Sequence, residues 1–240
     1  MKYSAIVLAA GSGKRMHADL PKQYMDLMGK PLIYYALEAF EKSPVDEIVL
    51  VVTPGHIDYC VKEIVHRFGF RKVTKVVAGG KERSESVLRG LESAEGDYVL
   101  IHDGARPFLS QEVIGRMMDA VQKYRAAIAA VPEKNTIKEG DLDHFVTDTP
   151  DRSKLWEIQT PQAFERKLLF DAYQRLLSKD PDLSMAGLTD DAMVVEEGGC
   201  LSDGVRPRIK LIEGDYFNIK ITTREDLVFG KAILEKMLEE

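Results

Sequence analysis

The sequence predicts one α/β domain over residues 1–240, with a mostly parallel twisted sheet, helices on both faces and a protruding β-arm over residues 133–154. Three observations predict it. Short apolar runs alternate with amphipathic stretches through the first half, the rhythm of βαβ units that feed a buried parallel sheet. A chain of 240 residues that is 45% hydrophobic is long enough for one sizeable core. The rhythm then stops after Pro132, where about 20 residues turn polar, longer than most unpacked connections inside a compact domain.

The predicted strands of the first half are Ser4–Leu8, Glu47–Val52, Lys72–Val77, Tyr98–His102 and Ala126–Val131. Between them, a helix over Leu32–Lys42 opens after Pro31, and one over Ile57–Phe68 follows Thr53-Pro54, read as an N-cap and first-turn pair. Helices are also expected over Glu82–Ala94 and Gln111–Lys123, the latter with Ser110 as its N-cap and Glu112 well placed against the helix dipole. Weak strand signals at Thr136–Lys138 and Phe145–Thr147 lie inside the polar excursion, which reads as a functional or partner-bound arm. The chain then returns with a strand at Leu155–Ile158, a helix near Glu165–Leu177, and a helix that opens at Thr189-Asp190-Asp191 with Thr189 as its cap. A strand at Arg208–Ile212 and a last helix from about Arg224 complete it, and Thr223 with Asp226 forms a capping-box signature.

The composition excludes several functions. A net charge of −6 opposes binding to a nucleic-acid backbone or an anionic membrane. No run of about 18 apolar residues occurs, and Ala5 to Ala10 is too short for a signal peptide, so a cytoplasmic protein is expected. Cys60 and Cys200 have no CxxC spacing and no nearby histidine pair, which suggests neither zinc nor a disulfide.

The chemistry begins directly after the first strand, in Leu8-Ala9-Ala10-Gly11-Ser12-Gly13-Lys14-Arg15-Met16. Gly11 and Gly13 free backbone amides to face an anion, and Ala9 and Ala10 let it approach. A Walker A loop needs Ser or Thr after Gly-Lys, but Arg15 follows Lys14. A dinucleotide fingerprint needs a small residue where Met16 stands. What the loop offers instead is Arg15, followed by Lys22 in Pro21-Lys22-Gln23: two fixed cations for a triphosphate whose charge grows as one phosphorus is attacked.

Other polar groups fall at the ends of predicted strands, where ligands of parallel sheets bind. In His102-Asp103-Gly104-Ala105-Arg106-Pro107, Asp103 is the candidate Mg²⁺ ligand, since that ion takes one or two carboxylates plus phosphate oxygens. His102 reads as structural. Gly79-Gly80-Lys81-Glu82-Arg83-Ser84-Glu85-Ser86 could read a base, or could be a plain connection in which Ser86 satisfies a local backbone group. Asp190 and Asp191 are explained as first-turn acids rather than ligands. Lys220, on the strand-like run Asn218-Ile219-Lys220-Ile221-Thr222, is equally a site lysine or a solvent-facing one.

Leu-Ala-Ala-Gly-Ser-Gly-Lys-Arg-Met, Pro-Lys-Gln, Gly-Gly-x-x-Arg, His-Asp-Gly-Ala-Arg-Pro, Gln159-Thr160-Pro161-Gln162 and Asn-Ile-Lys-Ile-Thr, in this order, resemble the 2-C-methyl-D-erythritol 4-phosphate cytidylyltransferases of the non-mevalonate isoprenoid pathway. The resemblance spans nearly the whole chain and implies a Rossmann-like nucleotidyltransferase fold that transfers CMP from CTP and releases pyrophosphate. It implies that Arg15 and Lys22 stabilise the transition state, that Asp103 helps hold Mg²⁺, and that Gly80, Arg83 and Ser86 line the cytidine side, with Gly104 also on the nucleotide. It further implies a homodimer that exchanges the arm, so that Thr136 and Arg152 reach the partner's site. There Arg106 and Lys220 complete the grip on the acceptor, and Arg152 and Lys220 orient its phosphate.

Two departures are minor: Gly104 stands where the family often carries Ala or Ser, and Asp182–Leu188 looks like a longer loop. The nearest rival is the sister family of ribitol 5-phosphate cytidylyltransferases, against which Ala105 and Lys138 speak. An NAD-dependent dehydrogenase is disfavoured by the loop. A non-catalytic nucleotide-binding regulator would have no need of Lys22, Arg152 and Lys220.

Overall fold

The computed structural model describes residues 1–11, 21–179, 188–201 and 204–239, leaving aside the side chain of Leu238. In chain order the elements are β1 (Tyr3–Ala9), β2 (Asp26–Leu27), β3 (Lys30–Pro31), α1 (Leu32–Lys42), β4 (Glu47–Val52) and α2 (Ile57–Tyr59), which continues as a π-helix over Cys60–His66. There follow β5 (Val73–Ala78), α3 (Arg83–Ser93), β6 (Tyr98–Asp103), α4 (Gln111–Tyr124) and β7 (Ala126–Pro132). The rest comprises β8 (Glu139–Gly140), β9 (Val146–Asp148), β10 (Trp156–Glu165), α5 (Arg166–Lys179), α6 (Asp191–Gly198), β11 (Lys210–Glu213) and α7 (Arg224–Glu239).

One seven-stranded sheet runs in the order β11-β7-β10-β6-β1-β4-β5. Its strands are parallel except β10, which pairs antiparallel with both β6 and β7. The chain moves outward from β1 to β4 and β5, then crosses back to β6 on the other flank of β1. That reversal leaves a crevice at the carboxyl ends of β1 and β6, where a doubly wound sheet receives its ligand. The helices cover both faces with separate cores. Leu37 and Phe40 of α1 and Val113, Met117 and Val121 of α4 pack on one side, and Val87, Leu91, Leu169 and Tyr173 on the other. Burying each large apolar side chain contributes about 1.5–3 kcal/mol, and β4, every residue of it buried, is held between β1 and β5.

Several expectations are corrected. The helix after Thr53-Pro54 begins at Ile57 behind His56, so that pair occupies a turn instead of a cap and first turn. The expected Leu155–Ile158 strand runs on to Glu165 because its register slips between Ile158 and Gln162, around a Pro161 that has no amide hydrogen to donate. In the arm the first strand forms at Glu139–Gly140 and not at Thr136–Lys138, and the second runs over Val146–Asp148, one residue later than the expected Phe145–Thr147. Asp190, not Thr189, caps α6 by accepting the Met193 amide at 3.0 Å. The Asn218–Thr222 run forms no strand. Most of the Asp182–Leu188 loop lies outside the described residues.

Ser110 caps α4 through the Val113 amide, as its sequence position implies. At α7 the Asp226 carboxylate accepts the Thr222 and Thr223 amides at 2.7 and 2.8 Å while Thr223 Oγ1 accepts the Asp226 amide, a complete capping box. Asp226→Ala should therefore lower the unfolding free energy by about 1–2 kcal/mol. Urea denaturation of the two proteins would measure the difference, and equal midpoints would show that α7 does not depend on the box.

Candidate active site

A cleft of about 330 Å³ opens at the carboxyl ends of β1, β5 and β6. Ala9, Ala10 and Gly11 form its floor, with Lys22 and Gln23 on one wall, Gly80, Arg83 and Ser86 on another, and Asp103 and Lys220 between them. A second cleft of about 250 Å³ adjoins it and shares Arg83, Asp103 and Lys220, adding Arg106, Thr160, Gln162 and Thr189. The shared trio thus forms the boundary of two chambers.

The floor is shaped by Gln23, a buried residue of the short helical turn Lys22–Tyr24. Its amide nitrogen donates to the carbonyls of Ala9 and Gly11, at 2.5 and 3.3 Å. Carbonyls held on this side chain are not left for an incoming anion to meet, which suits a phosphate loop that must offer N–H groups. Lys22 Nζ reaches across to donate to the carbonyl of Ile221, 3.1 Å away, which ties the turn to the segment that carries Lys220. At the end of β5, Ser86 Oγ accepts the Gly80 amide and donates to the Glu82 carbonyl, both at 3.0 Å, so the local reading of Ser86 holds while the residue also faces the cleft. A side chain at Gly79 would collide with Ala10 and Ser86, so β1 and β5 can close up only around glycine there.

Asp103 is the electrostatic centre. Burial alone would raise its carboxyl. Arg83, with Nε 3.6 Å from Oδ1, and Lys220, with Nζ 2.6 Å from Oδ2, prevail and hold it well below the ordinary value of 3.8. Arg83 in turn sends Nη2 to Oδ2 of the wholly buried Asp191 at 2.7 Å. Behind Asp103, Thr160 Oγ1 accepts its backbone amide at 3.1 Å and meets His102 Nδ1 at 2.9 Å, while His102 Nε2 meets the Arg106 carbonyl at 3.0 Å. A carbonyl only accepts, so Nε2 carries the proton and the Thr160 hydroxyl donates to Nδ1. Burial lowers the imidazole to about 4, which keeps it neutral and makes His102 a structural strut. Arg106 lies buried beside it with Nη1 on the Asn218 carbonyl at 2.7 Å, its Nε without a protein partner.

The structure thus gathers Ala9, Ala10, Gly11, Lys22, Gly80, Arg83, Ser86, Asp103 and Lys220 at one cleft, with Arg106 at its neighbour. Gly13 and Arg15 lie outside the described residues. Gly104 does not line the first cleft: its amide donates to the Leu8 carbonyl at 2.9 Å, and a Cβ there would press on that oxygen. Thr136 and Arg152 are exposed on the arm and line neither cleft of their own protomer, and Arg152 Nη1 donates to the Lys134 carbonyl at 3.0 Å. Gln23, Ala105 and Asp191 escaped sequence reasoning as site residues. Gln23 had a signal, its place beside Lys22, whereas Asp191 had none beyond a helix start. Among the described residues no group of three or more His, Cys, Asp or Glu side chains could hold a metal ion.

Because the folded-state value of Asp103 is depressed, its stabilising contribution is fully present above its unfolded value near 3.8 and is lost as pH falls through the acid range. Asp103→Asn should therefore be less stable than the unsubstituted chain at pH 7, and the gap should begin to narrow below about pH 4. Thermal unfolding from pH 7 down to pH 3 would measure it, and a gap independent of pH would deny the carboxylate this role.

Residues 3–236 match the family of 2-C-methyl-D-erythritol 4-phosphate cytidylyltransferases. The enzyme of that name from Lachnoclostridium phytofermentans is 49% identical over 98% of this chain and 97% of its own, and that of Lachnospira eligens is 50% identical over 97% and 99%. Among solved structures, the 4-diphosphocytidyl-2C-methyl-D-erythritol synthase of Anaerococcus prevotii superposes with a TM-score of 0.79 at 33% identity, covering 98% of both chains. The Francisella tularensis cytidylyltransferase does so with 0.77 at 29% identity, covering 97% of this chain and 100% of that one.

Proposed function

From a chain that belongs to the 2-C-methyl-D-erythritol 4-phosphate cytidylyltransferase family, we propose that it transfers CMP from CTP to 2-C-methyl-D-erythritol 4-phosphate. The products are pyrophosphate and 4-diphosphocytidyl-2-C-methyl-D-erythritol. The observation that carries the reading is the pair of clefts meeting at Arg83, Asp103 and Lys220, one floored by a glycine-rich strand end and the other lined by Arg106. Two polyanionic reactants need such a boundary.

In this reading the triphosphate lies on Ala9, Ala10, Gly11 and Gly13, and the cytidine lies toward Gly80, Arg83 and Ser86. An oxygen of the acceptor's phosphate attacks the α-phosphorus in line, a P–O bond forms, and the bond to the β-phosphate breaks as pyrophosphate leaves with its electron pair. Arg15 and Lys22 stabilise the charge that grows on the transferring phosphorus and its leaving group. Lys220, which pairs with Asp103, is within the shared boundary from which it orients the acceptor phosphate together with Arg106. No covalent enzyme intermediate is required, because positioning and charge neutralisation account for the gain.

Asp103 suits Mg²⁺. It is a single carboxylate kept ionised, and that ion completes its shell with phosphate oxygens and water. When bound, the ion would supply countercharge to the triphosphate.

The homodimer is the second part of the proposal. The arm leaves Leu142, Phe145 and Val146 99%, 72% and 62% exposed, an apolar tip suited to a partner protomer, whose site would then receive Thr136 and Arg152. Residues 1–240 act as one domain on this view, supported by one continuous main sheet, with 133–154 as the arm. On this reading the enzyme is cytoplasmic and acts on small molecules without nucleic-acid or membrane partners, which the net charge of −6 supports. No helix among the described residues is long and apolar enough to cross a membrane.

Pyrophosphate release from CTP and Mg²⁺ should occur with 2-C-methyl-D-erythritol 4-phosphate and not with ribitol 5-phosphate. Release with ribitol phosphate alone would keep the mechanism and change the acceptor, and release with neither would remove the catalytic reading. Tight NADH binding without release would favour a dehydrogenase instead.

Arg152→Ala and Lys22→Ala should each cut turnover by at least about tenfold. Mixed and allowed to exchange subunits, the two inactive proteins should recover part of the lost activity, because one site of each heterodimer regains both cations. Verified exchange without recovery would sink the shared site.

A further inference from the structure

Asp191 is the most deeply buried charge near the clefts, yet it lines neither of them. It opens α6, but its side chain is committed away from the helix end: Oδ2 takes Arg83 Nη2 at 2.7 Å and Oδ1 takes the Tyr173 hydroxyl at 3.1 Å. Its own amide donates to Gln162 Oε1 at 2.9 Å, and Gln162 Nε2 donates to Asp190 Oδ2 at 2.9 Å, so α6 is stapled to β10. A buried ion pair is a poor source of net stability, because desolvating the carboxylate costs several kcal/mol and a packed apolar side chain would often serve as well. The pair therefore asks for another explanation.

Arg83 supplies it. Its guanidinium is shared between two carboxylates, Nη2 on Asp191 at 2.7 Å and Nε toward Asp103 at the longer 3.6 Å. Arg83 also lies on the boundary of both clefts. A guanidinium released from Asp191 would be drawn in from 3.6 Å onto Asp103 Oδ1, the oxygen that Lys220 does not hold. Such a move would carry Arg83 off the wall and occupy the carboxylate oxygen left to face the reactants.

We propose that Asp191 is a positioning residue that acts on the nucleotide cleft through Arg83, holding the guanidinium back from Asp103 so that both groups keep their places on the shared boundary. The proposal rests on the CTP reading of the cleft given above. It assigns a role in the site to a helix-opening acid that never touches substrate.

A double-mutant cycle on the full-length protein tests it. CTP binding is measured by calorimetry with Mg²⁺ and without acceptor, beside the thermal midpoint of each protein and its KM and kcat. Asp191→Asn keeps the shape and removes the charge. It should weaken CTP binding about tenfold and raise KM for CTP accordingly. In an Arg83→Gln background the same change should alter CTP affinity less than twofold and should raise the thermal midpoint, because it removes a buried carboxylate that had lost its partner. A merely structural role would lower the midpoint in both backgrounds and leave CTP affinity of the folded protein unchanged, which would overturn the proposal. So would an equal loss of affinity in both backgrounds. If Asp191→Asn alone does not fold, the comparison of Arg83→Gln with the double variant still decides, since a further loss of CTP affinity there contradicts action through Arg83. Failure of the unsubstituted protein to bind CTP would instead remove the reading of the cleft, and this inference with it.

Discussion

The site depends on a carboxylate that must stay ionised in a buried place. Asp103 ends a central strand, where burial opposes its charge, and it keeps that charge because Lys220 and Arg83 face its two oxygens. Each cation is delivered by a different part of the chain, one from the start of α3 and one from the segment before α7. The anion thus draws distant segments to one point. Its own position is set from behind by Thr160, His102 and the Arg106 carbonyl, a relay in which each donor has one acceptor. Removing any member disturbs more than one wall of the cleft, which is how a few polar groups can organise two chambers.

Topology explains why these groups meet. The reversal of strand order between β4-β5 and β6 opens the crevice beside β1, and β1 delivers its glycine-rich end directly into it. The antiparallel β10 then inserts between β6 and β7 and brings Gln159, Thr160 and Gln162 to the same edge. Gln159 and Gln162 are both buried and spend their amides on backbone and carboxylate groups of the loops that close the second chamber. The Gln159-Thr160-Pro161-Gln162 motif is therefore in large part internal scaffolding. The arm stands apart, its strands wholly exposed and joined mainly to each other.

Much of the architecture was legible in the residues. Glu47–Val52 and Leu32–Lys42 have the expected bounds because one is an apolar run rich in β-branched residues and the other an amphipathic stretch behind a proline. The capping box at Thr223 and the Ser110 cap were equally legible, since each is a local contest for backbone amides. Errors came where local signals lost to tertiary pairing. Pro161 hid a strand that its neighbours complete, and Thr189 looked like a cap until Asp190 took the Met193 amide. The arm strands shifted because a turn built on Asp141, whose carboxylate accepts the Asp143 and Phe145 amides, sets their register.

By itself the sequence determined the α/β class and pointed to a glycine-rich end of the first strand and to the candidates Lys22, Asp103 and Lys220. Those signals are written in periodicity and in short motifs whose chemistry is local. Only the tertiary structure decided that Lys220 leaves its strand-like setting to face Asp103, that Gly104 packs against β1 instead of lining the first cleft, and that Asp191 turns inward to Arg83. No local pattern carries that information, because Arg83 and Asp191 stand 108 residues apart and acquire a common purpose only when the sheet brings them within one hydrogen bond.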